Sequence, residues 1–199
     1  VVPLDNLNNV CNLAKRNNIL VHLDGARVFN AQVASKTPVK EIVKNADTVM
    51  FALTKGLAAP FGAILAGNKD IIAKARWMKQ RMGGGYRQAG FLAAPGIVAL
   101  NTMLPQIEID HKHALILGKG LAKINGLKVE ISKIHTNIIS GSIEDLPTTI
   151  DCFIGKLMQK GIKVKRISEV SFRMVTHYGV GESHLYEVIR AIEDIVDSL

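Results

Sequence analysis

The chain has 199 residues, enough for one or two domains with a real core. It is 48% apolar, which excludes a disordered chain, and charges, Gly or Pro interrupt every apolar run before it reaches membrane-spanning length. The formal charge of +8 favours anionic partners, but aromatics make up only 5% and no base-stacking motif or zinc-finger spacing occurs, so small anionic ligands are expected rather than nucleic acid.

Cys11 and Cys152 lie far apart and form no metal-ligand or CxxC spacing. They read as core positions in a reducing, cytoplasmic setting. No secretory or transit segment is seen, and the chain opens on Val1-Val2-Pro3 rather than Met, which suggests a fragment or a processed product.

Asp5 to Asn17 predicts a helix, with Leu7, Val10, Cys11 and Ala14 on one stripe. Ile19–Leu23 predicts a strand buried on both faces, running into Asp24. Thr37-Pro38 predicts a helix start, with Thr37 as cap and Pro38 at the first helical position, and the helix reaches Lys44. Thr48–Leu53 and Gly62–Ala66 read as strands. The order helix, strand, helix, strand indicates an α/β sheet with short connections.

Lys69–Arg81 reads as a helix with a basic face, broken by Gly83-Gly-Gly85. Gln88–Met103 is helical in pattern despite Pro95, and a second long helix spans about Gln106 to Ile124. Leu127, Val129 and Ile131 then alternate as in a half-exposed strand. Pro147 and its threonines open a helix carrying Ile150, Phe153, Ile154, Leu157 and Met158 on one stripe, which Gly161 ends. Lys163–Ile167 and Ser171–His177 read as strands. A last helix from Ser183 buries Leu185, Val188, Ile189, Ile192, Val196 and Leu199. The expected organisation is therefore an α/β domain over residues 1–105 and a small α+β domain over residues 106–199.

In an open α/β sheet, ligands bind outside the carboxyl ends of the strands. Asp24 and Lys55 both fall there, each at the end of an apolar run. A carboxylate and an amine so placed suit an aldehyde cofactor with a basic ring nitrogen, since the amine can bond to the aldehyde and the carboxylate can keep the ring nitrogen protonated. Read alone, Asp24-Gly25 could be a simple turn and Lys55-Gly56 a solvated loop. Arg27, Thr54 and the glycine run tip the balance towards a ligand. Strand alternation puts Arg173, Val175 and His177 on one face and Phe172 and Met174 on the other. A rim salt bridge is the competing reading of Arg173.

Three segments, in this order, resemble the L-threonine aldolase family: His22-Leu-Asp-Gly-Ala-Arg-Val-Phe-Asn-Ala31, Thr54-Lys-Gly-Leu-Ala-Ala-Pro-Phe-Gly62 and Gly83-Gly-Gly-Tyr-Arg-Gln-Ala-Gly90. Ser171-Phe-Arg-Met-Val-Thr-His177 extends the similarity. The resemblance implies a pyridoxal-phosphate enzyme of the aspartate-aminotransferase fold, with residues 1–105 in the cofactor-binding large domain and residues 106–199 as the small domain.

By the same resemblance, Lys55 is the covalent anchor, its proton loss helped by burial and a neighbouring cation. Asp24 pairs with the ring nitrogen and Thr54 contributes to cofactor binding. Arg27, which also touches the cofactor ring's phenolic oxygen, and Arg173 take the amino-acid carboxylate in two-bond forks, and losing one such partner in a buried site costs roughly 2–5 kcal/mol. Arg87 reaches the phosphate of a neighbouring subunit, which implies a homo-oligomer, dimer or tetramer. His22 shares a face with Asp24 and could orient that carboxylate, with a satisfied core histidine as the equal alternative. Gln80 stands where the family often has a basic residue, and Lys79 and Arg81 flank it.

The implied activity is cleavage of threonine or allo-threonine to glycine and acetaldehyde. The family's ring-stacking histidine and its Ser-Gly-Thr phosphate segment have no counterpart in these residues. Another pyridoxal-phosphate lyase or aminotransferase of the same fold, or a non-catalytic interaction module, are the alternatives.

Overall fold

A computed structural model describes all 199 residues, and their contacts divide them into two units, Val1–Pro105 and Gln106–Leu199. The first unit opens with α1 (Leu4–Arg16), closed by backbone bonds from Asn17 and Asn18, the latter at φ 56°. Then come β1 (His22–Asp24), α2 (Val28–Ser35), α3 (Val39–Val43), β2 (Thr48–Ala52), β3 (Ala63–Gly67), α4 (Lys69–Arg81) and α5 (Gly90–Thr102).

The strands form one sheet in the order β1-β2-β3. β1 runs parallel to β2, aligning His22 with Thr48 and Asp24 with Met50, and β3 returns antiparallel, aligning Ala63 with Ala52.

Two expectations for this unit are corrected. The first strand is three residues long and is not buried on both faces, with Ile19 and Leu20 60% and 73% exposed. The Ile19 amide is drawn back to the Ala14 carbonyl at the end of α1, and the Val21 amide goes to the Asp47 carboxylate at 2.7 Å rather than into a ladder. The second correction is at α3, where Pro38, not Thr37, occupies the cap position. The Thr37 hydroxyl instead donates to the Ser35 carbonyl, leaving Pro38 at φ −55°, ψ 141° to lead the chain into the helix. Farther on, Asn68 caps α4 as its side chain accepts from the Ile71 amide at 2.9 Å.

The second unit holds α6 (Leu104–Leu121, entered from the first unit), β4 (Lys128–Val129), a 3-10 turn at Ile131–Lys133, β5 (Ile138–Ser142), α7 (Ile150–Gln159), β6 (Lys165–Arg166), β7 (Ser171–Val175) and α8 (Glu182–Asp197). All its strand pairings are antiparallel, in the order β4-β5-β7-β6. Alternation sends Ile139, Phe172 and Met174 inward, where they join Leu117 and Leu121 of α6, Phe153 and Leu157 of α7, and Leu185 and Ile192 of α8 in one buried cluster. The strand expected through Ile131 stops at Val129 and gives way to the 3-10 turn. Leu199, expected in the core, is 39% exposed, whereas Ile195 is buried.

A buried polar knot ties α6 to the end of β7. Thr176 donates its hydroxyl to the Asp110 carbonyl at 2.6 Å, and Asn137 donates its side-chain amide to the Thr176 carbonyl at 2.8 Å. Next to Asp110, burial pushes the His111 imidazole below its usual value of 6.5, against the opposing pull of Asp110 and Glu108. With the folded value depressed, the unfolded chain binds more protons in that range, so stability rises with pH there. The contribution is present above the unfolded value and is lost as pH falls through the folded one. Melting temperatures should decline on acidification below about pH 6.5, and His111→Gln should flatten that part of the profile.

Candidate functional site

β1 and β2 are parallel neighbours, so their carboxyl ends open on the same edge of the sheet. Asp24 is the last residue of β1, and its Oδ1 accepts from the Ala26 amide at 3.0 Å. Gly25 then turns against β2, donating its amide to the Met50 carbonyl at 2.8 Å. A Cβ at Gly25 would stand 2.9 Å from that same carbonyl oxygen, so only glycine allows this approach. Arg27 follows as the cap residue of α2, partly buried.

β2 ends at Ala52, and the segment from Leu53 to Gly62 forms a pinned loop. The Leu53 amide donates to the Gly62 carbonyl, Ala59 donates to the Leu53 carbonyl, and Ala58, at φ 54°, donates to the carbonyl of Lys55. Leu53, Leu57 and Ala59 turn inward, while Thr54 and Lys55 remain exposed. The Lys55 amine is thus held on a fixed backbone and makes no ion pair.

α5 supports this loop from below. Gly96 is buried and lies so close to Leu53 that a Cβ there would meet the leucine Cδ1 at 2.9 Å. An apolar groove of about 570 Å³ runs between Leu57–Pro60 and the Phe91–Met103 side of α5.

The glycine-rich turn is fastened to the same loop. Gly83 takes φ 80°, and Tyr86 packs edge-on against Phe61, with ring centroids 6.3 Å apart. Lys79 lies over the Tyr86 ring and Arg81 over the Trp77 ring, so the two cations flanking Gln80 rest on aromatic faces. Arg87 is exposed on the bend just beyond and has no ion pair. Asp24, Arg27, Thr54, Lys55 and Arg87 therefore all lie in the first unit, on segments linked by these contacts. Arg173 belongs to the second unit, on the face of β7 away from the core, and its Nε is buried with no hydrogen-bond partner.

The model of the beta-eliminating lyase family matches residues 1–143, more than half of the chain. This chain belongs to the beta-eliminating lyase family.

Among its relatives, low-specificity L-threonine aldolase 1 of Arabidopsis thaliana is 36% identical over 182 residues, covering 91% of this chain and 51% of that protein. The low specificity L-threonine aldolase of Escherichia coli (strain K12) is 33% identical over 189 residues, covering 94% and 54% respectively. A solved structure from Exiguobacterium, described as an aromatic amino acid beta-eliminating lyase/threonine aldolase, superposes with a TM-score of 0.82 at 19% identity, over 98% of this chain and 58% of that one. The fold is accordingly that of the aspartate-aminotransferase class. The chain spans about half the length of the curated relatives it matches.

Within this beta-eliminating lyase chain, two site expectations are not met. His22 does not orient Asp24 through Nδ1, because that nitrogen is 2.8 Å from the Thr48 hydroxyl on β2. Nor do these residues bury the Lys55 amine or the Asp24 carboxylate, both of which are exposed. One feature escaped the sequence reading, namely the Phe61–Tyr86 contact that joins the lysine loop to the glycine-rich turn. The two aromatics were visible only as letters within their motifs, and nothing in their spacing links them.

Proposed function

We propose that this chain works in a pyridoxal-phosphate-dependent aldehyde-lyase that cleaves threonine or allo-threonine to glycine and acetaldehyde. The observation that carries the reading is the position of Asp24 at the carboxyl end of β1 and of Lys55 on the loop that leaves the carboxyl end of its parallel neighbour β2. The donor set fits the cofactor: an exposed amine with no competing ion pair, a carboxylate at the end of the neighbouring strand, and an exposed arginine on a glycine-rich turn.

Lys55 would hold the cofactor through its amine, and Asp24 would hold the proton on its ring nitrogen. Thr54 would contribute from the same loop. When bound, pyridoxal phosphate supplies the electron sink that lets a bond to the amino acid's Cα break heterolytically. Arg27 and Arg173 are each a planar fork suited to a carboxylate, and such a grip on the substrate would fix which bond at Cα is presented for cleavage. Arg87 would serve the phosphate of a second copy, making the working protein a homo-oligomer. The relatives named as threonine aldolases support the substrate class.

A β-elimination on another amino acid is the second reading, favoured by the double description of the Exiguobacterium structure. A longer protein that contains this chain and the missing part of the site should release glycine and acetaldehyde in equal amounts when given pyridoxal phosphate and L-threonine or L-allo-threonine. An oxo acid as the sole product would reject the aldolase in favour of elimination or transamination.

A further inference from the structure

The face of the four-stranded sheet away from the core carries one row of unusual charge. β7 places Arg173 opposite Ser140 of β5 on one side and opposite Lys165 of β6 on the other. Directly opposed residues of antiparallel strands project to the same side, with Cβ atoms about 4.5–5.5 Å apart, and like charges so opposed repel.

The other basic residues of this sheet are neutralised. Lys128 bonds Glu144 and Asp145 at 3.2 and 3.1 Å, and Arg166 forks onto Asp151 and reaches Glu169. Lys165 and Arg173 form no ion pair, and the buried Arg173 Nε has no acceptor. The remaining residues that the register places on this face of β5 and β7 are Ile138, Ser142, Ser171 and Val175, none of them acidic. Two cations and a hydroxyl in one row, with no carboxylate supplied by the sheet, suit an external oxyanion.

We propose that Lys165 is a specificity-determining residue which, with Arg173 and the Ser140 hydroxyl, forms an oxyanion site for a carboxylate. The guanidinium grips the two oxygens, and the ammonium adds the second positive charge that relieves the row only when the anion is bound. The inference rests on the reading of Arg173 as the substrate's carboxylate grip and adds Lys165 and Ser140 to it.

The test is an NMR titration of the full 199-residue chain with sodium propionate at constant ionic strength, following the Arg173 Nε–H resonance. That resonance should shift and saturate. Lys165→Gln should weaken propionate binding by about threefold to fivefold, as expected for an exposed charge. Lys165→Glu places a carboxylate opposite Arg173 and should remove the response, while an unchanged amide spectrum elsewhere shows the fold intact.

A Lys165→Gln chain that titrates like the parent, or a parent whose Arg173 resonance ignores propionate, would overturn the proposal. Tighter binding of inorganic phosphate than of propionate would overturn the choice of a carboxylate. Failure of the lyase reading would register separately, as absence of cofactor attachment at Lys55 with the propionate response retained.

Discussion

Lys55→Ala should abolish site-specific covalent attachment of pyridoxal phosphate. The measurement is borohydride reduction followed by peptide mass mapping, on the chain and on any longer protein that contains it. The reduced adduct should map to the peptide containing Lys55 and disappear in the variant. The effect is all-or-none because no other side chain on the Leu53–Gly62 loop carries an amine. Lys55→Arg should fail equally despite keeping the charge, since a guanidinium stays protonated and cannot act as the nucleophile. Asp24→Asn should leave attachment in place, because Asp24 is read as acting on the ring nitrogen and not on the aldehyde. Scattered low-level labelling of the exposed lysines of α4 is the background to subtract. Stoichiometric labelling that persists in Lys55→Ala would remove this lysine from the assignment.

Much of the fold was legible because its elements follow simple local rules. α4 spans the predicted Lys69–Arg81, with Asn68 at its cap. α7 and α8 carry stripes that a 3.6-residue period exposes, and Gly161, at φ 77°, ends α7 where a left-handed residue is needed. α2 was not predicted. Its sequence, Val28-Phe-Asn-Ala-Gln-Val-Ala-Ser35, has apolar residues all around the helix, so no stripe marks it. β5 was also missed, since Ile138-Ile-Ser-Gly-Ser142 looks like loop composition. Its glycine is explained only by a residue far along the chain, the Phe172 ring that packs on it. In the site, the approach of Gly25 to β2 could be anticipated from the Asp-Gly pair after an apolar run. The solvation of Lys55 and Asp24 could not, because burial depends on which surfaces surround a loop and a strand end rather than on their own residues.

Phe172 is where fold and site meet most directly. It is fully buried, its ring lies 5.5 Å from that of Phe153 between centroids, and it covers Gly141, where a Cβ would stand 2.5 Å from the ring's Cζ. Phe172→Ala should lower the unfolding free energy of this unit by about 3–5 kcal/mol, the range for deleting a buried aromatic. Gly141→Ala presses on the same ring from the other side and should cost about 1–3 kcal/mol, since β5 and β7 are locked in register and cannot separate locally. Both values can be read from urea titration of the full chain, and an effect below about 1 kcal/mol for Phe172→Ala would mean that the packing around this strand is wrong. The consequence reaches Arg173 because neighbouring residues on a strand alternate in direction. Phe172 anchored in the core is what commits Arg173 to the open face. A Phe172→Leu chain, which keeps an apolar anchor, should therefore retain the propionate response of the Arg173 Nε–H at lower overall stability, whereas Phe172→Ala should broaden or weaken that response even where the chain remains folded.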